Sequence, residues 1–407
     1  IAIMMDTQGP AIRTGDLESS LDLNPGDTLE FTVRGARSEE HYSVDVNYDG
    51  LIDDISVGDV VLVDNGNIHM KVLSKQDNRI RCEVLTRGVL GSRRHINLPG
   101  VKVNLPPLTA KDLRDLAIGA ELDLDYFALS FCREKSDVDA MRAELQRLGS
   151  DGLVIAKIED QHAVKHVQDI MKAADAVMVA RGDLGIECPM EELPIIQRRI
   201  VKSCVKLGKP VIVATHMLES MITNPLPTRA EITDVANAVY EQADAIMLSG
   251  ETSVGQYPLR CVEIFDRVAT RIERSGGAGF AREAPIEGVR EKTVASAVNL
   301  ANSFPRSKIL VFTHVGKMAR YASHLRPLAA PIHAFCPDER VCRRMALLYG
   351  VRPHRMGFQA EPEKNVFAAE EALVLKGLAA SGDHLVVITD IVEGDRRHAS
   401  VQLRCVP

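Results

Sequence analysis

Residues 153–185 read LVIAKIEDQHAVKHVQDIMKAADAVMVARGDLG. Two short apolar runs, 153–156 and 176–179, flank a longer stretch with helical periodicity. Apolar runs without polar interruption are typical of parallel strands that are buried on both faces, and a helix usually connects each such strand to the next. The pattern therefore predicts a strand–helix–strand unit of an α/β fold.

The same unit recurs on both sides of this stretch, with similar apolar runs at 1–5, 126–129, 211–214 and 245–248. Polar or ionisable residues follow the runs: Asp6-Thr7, Ser130, Lys157-Ile158-Glu159, Arg181-Gly182-Asp183, Thr215 and Ser249-Gly250-Glu251. After one strand such residues are ordinary loop chemistry. After every strand they are typical of the active face of a (β/α)8 barrel of the TIM type, which lies at the carboxyl ends of its strands.

Charged groups at two neighbouring strand ends suit a divalent cation. Lys157 and Glu159 are two residues apart, so both face the same side of an extended backbone. Glu159 and Asp183 offer the hard oxygen ligands that Mg²⁺ prefers. A plain ion pair between Lys157 and Glu159 is the alternative. The turn at 182–185 either presents backbone N–H groups to a carboxylate or phosphate, or is no more than a tight turn.

Two further segments differ from this alternating pattern. Between 14 and 103, short β-branched runs alternate with Gly, Asp and Asn turns, which predicts a small all-β unit. After the Gly-rich stretch 275–279, a separate α/β unit is expected. Its predicted helices lie near 292–303, 315–325, 339–349 and 365–379, and its predicted strands at 308–312, 332–335, 385–388 and 401–405.

The composition narrows the classes of function. The 407 residues carry a formal net charge of −7, and aromatic residues make up 4% with no Trp. A basic surface or an aromatic stacking platform for nucleic acid is therefore not expected. Eight scattered cysteines without a C-x-x-C pair predict reduced thiols, and no apolar run is long enough to span a bilayer. We expect a cytoplasmic protein with no nucleic-acid or membrane partner.

Several longer motifs follow one another in a characteristic order. They are DTQGPAIRTG (6–15), NLPG (97–100), KIE (157–159), ARGDLG (180–185), ATHMLESM (214–221), PTRAE (227–231) and MLSGET (247–252). Together they closely resemble the pyruvate kinase family, in register to about residue 272 and more loosely beyond it.

The resemblance implies both architecture and reaction. It implies a catalytic barrel domain formed by 1–13 and 104–275, an inserted β lid domain at 14–103, and a C-terminal α/β domain for regulation and oligomerisation at 284–407. It also implies a homotetramer. The implied activity is that of a glycolytic phosphotransferase, which converts phosphoenolpyruvate and ADP into pyruvate and ATP with Mg²⁺ (or Mn²⁺), and with K⁺ as a further cation.

Matching positions imply a role for each site residue. Glu159 and Asp183 would hold Mg²⁺, and Lys157 would neutralise charge on the phosphoryl group in transfer. The family motifs imply further roles around the phosphoryl group, which Arg13 helps to hold while Ser130 lines the pocket near Lys157. At the rest of the substrate, the N–H groups of Gly182 and Asp183 would bind the carboxylate, and Thr215 would lie near the methylene carbon with a proton relay of Ser249 and Glu251 beyond it. Asp6 and Thr7 would contribute to a K⁺ site.

The chain departs from the family pattern in several places. The family's first two barrel strands and its Arg-x-Asn-x-Ser-His motif would precede residue 1, so normal barrel closure is not expected from these residues alone. Gln8, Ala11, Asn65 and His216 replace the usual Lys, Glu, Asp and Gln, which leaves K⁺ dependence open. Two rival functions also stay open: another barrel enzyme that handles a Mg²⁺-bound enolate, such as an aldolase or a phosphoenolpyruvate-utilising synthase, and a non-catalytic subunit. An organellar origin is a further alternative.

Overall fold

A parallel sheet forms the centre of the protein. The computed structural model describes residues 1–38, 40–328, 330–393 and 396–407, with side chains except at 390–393 and 396–398. The strands of the sheet, in spatial order, are β1 (Met4–Asp6), β10 (Tyr126–Leu129), β11 (Leu153–Ile158), β12 (Ala176–Ala180), β13 (Val211–Ala214) and β14 (Ala245–Met247). All neighbours pair in parallel. Each apolar run predicted from the sequence therefore supplies one strand.

Alternate residues of these strands enter two different apolar cores. On β12, Val177 and Val179 pack into the core shared with the surrounding helices. Ala176 and Met178 belong to the second core, which the strands share among themselves. Because both faces of the sheet are buried, neither set of positions can be polar, and the runs read as uninterrupted apolar sequence.

Helices connect the strands and begin close to the strand ends. They are α2 (Ala110–Glu121), α3 (Lys135–Arg147), α4 (Gln161–Ala173), α5 (Arg181–Glu187), α6 (Leu193–Leu207), α7 (Arg229–Tyr240), α8 (Gly250–Ser253) and α9 (Pro258–Glu273), with 3-10 turns at Glu219–Ile222 and Phe280–Glu283. Asp160 is the N-cap of α4 and accepts a hydrogen bond from the Ala163 N–H at 2.7 Å. Such a cap fixes where a helix starts, so α4 begins directly after Glu159.

The segment between β1 and α2 forms the small β unit. It contains α1 (Leu51–Asp54) and the strands β2 (Leu21–Leu23), β3 (Thr28–Thr32), β4 (Tyr42–Asp45), β5 (Val60–Val63), β6 (Ile68–Gln76), β7 (Arg79–Val84), β8 (Gly88–Leu90) and β9 (Ile96–Asn97). The sheet order is β4-β3-β7-β6-β5-β9, and β2 pairs with β8. Phe31, Met70 and Ile80 are buried in a core that belongs to this unit alone. Apart from the single helical turn α1, the unit is all-β as predicted.

The C-terminal unit is a second α/β layer structure. It contains α10 (Val289–Asn302), α11 (Lys317–His324), α12 (Glu339–Met345), α13 (Pro362–Leu375), β15 (Ser307–Phe312), β16 (Ile332–Cys336), β17 (Val351–Arg355), β18 (His384–Glu393) and β19 (Arg396–Cys405). The sheet order is β17-β16-β15-β18-β19, and only the pair β18–β19 is antiparallel within the described strands. The sequence predicted four of these strands and missed β17.

The C-terminal unit packs against the amino ends of the barrel strands. Asp244, just before β14, accepts a hydrogen bond from Arg326 Nη2 at 2.6 Å. Asp125, just before β10, accepts one from Arg343 Nε at 3.0 Å. Apart from Arg13, the predicted site residues stand at the opposite, carboxyl ends of the strands of this sheet. Among the helices described, none is both long and apolar enough to cross a membrane.

Candidate active site

The Lys157 ammonium joins the ends of three neighbouring strands. Its Nζ atom lies 3.0 Å from Glu159 Oε1 and donates hydrogen bonds to Ser130 Oγ at 2.8 Å and Asp6 Oδ2 at 3.1 Å. Asp6, Ser130, Lys157 and Glu159 are called the Lys157 cluster below. The ion pair between Lys157 and Glu159, which the sequence left as an alternative, is present, but as one part of this larger cluster.

Glu159 is almost entirely buried, with 1% of its side chain exposed. Burial raises the pKa of Glu159 to about 7, although the Lys157 charge and the Phe131 N–H, which donates to Oε2 at 2.6 Å, both lower that pKa. Burial alone would lower the pKa of Lys157, but the carboxylates of Glu159 and Asp6 outweigh it and raise that pKa. The cluster therefore holds a firmly protonated lysine beside a carboxylate that would be stabilised by more positive charge.

Asp183 supplies a second carboxylate to the same region. It lies in the first turn of α5, and its charge contributes to the raised pKa of Glu159. Within the described ranges no residue donates a hydrogen bond to the Asp183 carboxylate. Two neighbouring acidic groups, one of which receives no hydrogen bond from the residues that the structure describes, suit a bound cation.

Thr215 links the end of β13 to the start of α5. Its backbone has φ of 68°, a left-handed conformation that is rare for a β-branched residue. Its hydroxyl donates to the Ala214 carbonyl at 2.7 Å and accepts from the Gly182 N–H at 2.7 Å. Of the two N–H groups predicted to bind a substrate carboxylate, that of Gly182 is therefore engaged by Thr215.

Glu251 connects β14 with the loop that follows β13. Its buried carboxylate accepts hydrogen bonds from the Leu218 N–H at 3.0 Å and the Ser249 N–H at 2.7 Å. Ser249 stands directly after β14 with an irregular backbone conformation, φ −121° and ψ −101°. The predicted relay pair thus lies in contact, but through the Ser249 backbone and not through its hydroxyl.

Thr7 and Ser130 bind the ends of β1 and β10 to each other. The Thr7 hydroxyl donates to the Ala128 carbonyl at 3.2 Å and accepts from the Ser130 N–H at 3.0 Å. The Ser130 hydroxyl lies 2.7 Å from the Thr7 carbonyl and 3.1 Å from Asp6 Oδ1. These bonds fix the position of Asp6 relative to Lys157 along the direction of the strands.

Arg13 stands apart from this network. Its guanidinium donates to the Arg93 carbonyl at 3.2 Å, and its N–H donates to Asn47 Oδ1 at 2.8 Å. Both partners belong to the small β unit, and the described residues show no hydrogen bond from Arg13 to the Lys157 cluster. The structure therefore places Arg13 on the β unit.

Two residues support the site although the sequence analysis assigned them no role. Arg181 is 7% exposed, donates to the Thr215 carbonyl at 2.6 Å and pairs with Asp234 at 2.7 Å. Asp112 is fully buried and accepts from the Gln8 N–H at 2.9 Å, which fixes the loop after β1. The only signal for Asp112 was its position three residues after Thr109, with which it forms a capping box.

Both the barrel and the C-terminal unit are similar to known protein families. The family model described as pyruvate kinase, barrel domain, matches residues 1–262, and that described as pyruvate kinase, alpha/beta domain, matches residues 291–401. Pyruvate kinase isozyme G, chloroplastic, of Ricinus communis is 40% identical over 393 residues, which cover 95% of this chain and 93% of that protein. The pyruvate kinase of Geobacillus stearothermophilus is 39% identical over 409 residues, which cover 97% and 68% respectively.

A solved structure is also similar. The crystal structure of a pyruvate kinase from Cryptosporidium parvum matches with a TM-score of 0.93 and 33% sequence identity, covering 100% of this chain and 84% of that one. With the parallel sheet described above, these matches confirm the predicted fold class, a (β/α)8-type barrel accompanied by a β unit and a C-terminal α/β unit.

Proposed function

Since the chain belongs to the pyruvate kinase family, we propose that it transfers the phosphoryl group of phosphoenolpyruvate to ADP and releases pyruvate and ATP. It is a phosphotransferase of glycolysis, as the sequence predicted. The observation that best supports the proposed roles of individual residues is the Lys157 cluster. Phosphoryl transfer depends on positioning and on fixed positive charge, and a buried ammonium held by three strand ends supplies both.

Glu159 and Asp183 are the proposed ligands of Mg²⁺ or Mn²⁺. The fit rests on their chemistry: two carboxylates near each other, one buried with its pKa raised to about 7 and one without a protein donor in the described ranges. When bound, such an ion polarises substrate oxygens and neutralises charge that develops on them. The protein's part is to hold the two carboxylates, one directly after β11 and one on α5, in fixed positions relative to each other.

Lys157 is proposed to face the phosphoryl group in transfer. Its ammonium is held by Glu159, Asp6 and Ser130, so it needs no reorganisation when charge develops nearby. Ser130 lines the pocket at this point. Arg13 is proposed to hold the phosphoryl group from the side of the β unit.

Thr215, Ser249 and Glu251 are proposed to act at the other end of the substrate. The resulting enolate must gain a proton at its methylene carbon, and the Thr215 hydroxyl stands between two backbone groups at the end of β13. The N–H groups of Gly182 and Asp183 are proposed to bind the substrate carboxylate. For Gly182 this requires exchange of its present hydrogen bond to Thr215 for one to the substrate.

Asp6 and Thr7 are proposed to contribute to a K⁺ site. The oxygen atoms of Asp6 contact Lys157 and Ser130, and 46% of its side chain is exposed. The Thr7 carbonyl accepts from Ser130, and the Thr7 hydroxyl bonds two backbone groups. Turnover measured with K⁺, with Na⁺ and with neither decides whether this cation is needed.

The domain division, the assembly and the location are part of the same proposal. The division into a barrel domain (1–13 and 104–275), a β lid (14–103) and a C-terminal domain (284–407) is supported by separate apolar cores, with Ile12 of the first range packed into the core of the β lid. A homotetramer and a cytoplasmic location are proposed with them. Relatives from Ricinus communis and Arabidopsis thaliana are named as chloroplastic proteins, so an organelle is the alternative location.

The function is tested by following pyruvate formation from phosphoenolpyruvate, ADP and Mg²⁺ in a coupled assay. Pyruvate that forms only when ADP is present, with ATP in equal amount, is the expected result. Consumption of phosphoenolpyruvate without ADP would favour the rival synthase or aldolase activity. No turnover by a folded chain would favour the non-catalytic subunit.

A further inference from the structure

A second cluster of potential metal ligands lies near the barrel surface, outside the residues assigned to catalysis. It consists of Glu134, His162 and His166 and is called the Glu134 cluster. One ligand atom from each residue lies within 4.8 Å of the other two. His162 Nε2 is 2.9 Å from Glu134 Oε1, and the centroids of the two imidazole rings are 4.5 Å apart.

Local structure explains why the three residues meet. His162 and His166 are four apart in α4, so they project from the same face of the helix. Glu134 is the N-cap residue of α3, which packs beside α4. Glu134 also pairs with Lys102 at 3.3 Å, and 41% of its side chain and 22% of that of His162 are exposed. The cluster is therefore accessible to solutes.

We propose that the Glu134 cluster binds a divalent transition metal ion of the Zn²⁺ class. Two imidazoles and one carboxylate form a ligand set that suits Zn²⁺, Co²⁺ or Ni²⁺, whereas Mg²⁺ selects oxygen ligands. With bonds of about 2.0–2.1 Å, the ligand atoms of a tetrahedral site stand roughly 3.4 Å apart. His162 Nε2 and Glu134 Oε1 are 2.9 Å apart and all three ligand atoms lie within 4.8 Å of one another, so the spacing is close to that of such a site. A fourth position stays open to water.

Lys102 is the built-in competitor of the metal. Its ammonium shares Glu134 Oε1 with His162, so a metal ion bound to this carboxylate competes with Lys102 for its negative charge. Lys102 lies on the segment that returns from the small β unit to the barrel. Metal binding would therefore weaken the ion pair between Lys102 on that segment and Glu134 at the start of α3.

The test uses Co²⁺ as a spectroscopic probe and Zn²⁺ in calorimetry, both with excess Mg²⁺ to occupy oxygen-ligand sites. Wild-type protein should bind one ion with the visible absorption of four-coordinate Co²⁺. The double variant His162→Gln/His166→Gln should weaken binding by about 100-fold or more, since even supporting residues of metal sites are worth about 10- to 100-fold. His41→Gln, at an exposed histidine of the small β unit, is the matched control.

Two single variants keep the proposal testable even if the double variant folds poorly. Glu134→Gln should weaken binding, because it removes the anionic ligand. Lys102→Met should tighten binding about 1.4- to 5-fold, since an exposed ion pair contributes about 0.2–1 kcal/mol. Equal affinity in wild type, Glu134→Gln and Lys102→Met, or loss of the Co²⁺ band in His41→Gln, would overturn the proposal.

Discussion

The Lys157 ammonium lies 3.0 Å from Glu159 Oε1, in a position where 12% of the lysine side chain and 1% of the glutamate side chain are exposed. Each charge of a buried pair of this kind is stabilised by the other, because either charge alone would be strongly destabilised in the same place. Even beside Lys157 the ionised form of Glu159 remains destabilised, since burial raises its pKa to about 7.

Lys157→Met should abolish most of the catalytic activity. The change removes the fixed positive charge proposed to face the phosphoryl group, and comparable cationic groups in phosphoryl transfer contribute about 10³-fold or more to kcat. The measurement is kcat for pyruvate formation, with circular dichroism to show that the barrel is folded. Lys172→Met, at an exposed lysine near the end of α4, is the control and should keep wild-type kcat. A Lys157→Met enzyme within ten-fold of wild type would contradict the assigned role.

Binding of Mg²⁺ or Mn²⁺ should release a proton in mildly acidic solution. Because burial raises the pKa of Glu159 to about 7, this carboxyl is mostly protonated below that pH, and a metal ion can bind only the ionised form. Calorimetry in two buffers of different ionisation enthalpy should detect nearly one proton released at about pH 6 and almost none at about pH 8. Glu159→Gln should remove this difference. Equal heats in both buffers at the lower pH would show that Glu159 does not bind the ion.

The sequence predicted the sheet better than it predicted the contacts of the site. Barrel strands were visible because both faces of β12 and its neighbours are buried, which makes the sequence apolar throughout. Strand β17 was missed because its sequence, VRPHR, contains a proline and three basic or polar side chains. Such a sequence is tolerated since β17 is an edge strand, with a neighbour on one side only.

Site residues were predictable by position, but their bonds were not. A polar residue that closely follows a buried apolar run must lie near the carboxyl edge of the sheet, which is how Lys157 and Asp183 could be named. The hydrogen-bond partners of these residues depend on the register of adjacent strands and on the conformation of the loops. The bond between Gly182 and Thr215 joins residues 33 positions apart and requires a left-handed backbone at Thr215. No local pattern encodes that.

Thr215→Val should destabilise the protein and reduce kcat, whereas Thr215→Ser should do neither strongly. Valine leaves the Gly182 N–H and the Ala214 carbonyl without the hydroxyl that now serves both, at a cost of about 1–3 kcal/mol. Serine keeps the hydroxyl and relieves the strain of a β-branched residue at φ of 68°. Thermal midpoints and kcat of the two variants separate these effects. If valine and serine variants behave alike, the hydroxyl has neither role.

Two buried histidines in the C-terminal sheet should make the protein sensitive to acid. His333 Nδ1 lies 3.0 Å from His354 Nε2, and Lys376 Nζ lies 3.4 Å from His354 Nδ1. Since an ammonium only donates, His354 Nδ1 must accept, so Nε2 carries the proton that it donates to His333. Burial in the first place, together with nearby cations, lowers the pKa of His333 to about 3 and that of His354 to about 4. Neither ring can take up a second proton without breaking this chain.

The sign of the effect follows from where the protons bind. Below about pH 6.5 the unfolded histidines are protonated while the folded ones stay neutral, so stability falls as the pH falls towards the folded pKa values. From about pH 7.5 to 5.5 the loss is about 1.4 kcal/mol per histidine, or roughly 2–3 kcal/mol for the pair. Urea unfolding followed at both pH values measures it. The variant His333→Gln/His354→Gln, compared with His41→Gln, should show a flatter pH dependence even if it is less stable at the higher pH. An unchanged slope in the double variant would assign acid sensitivity to other groups.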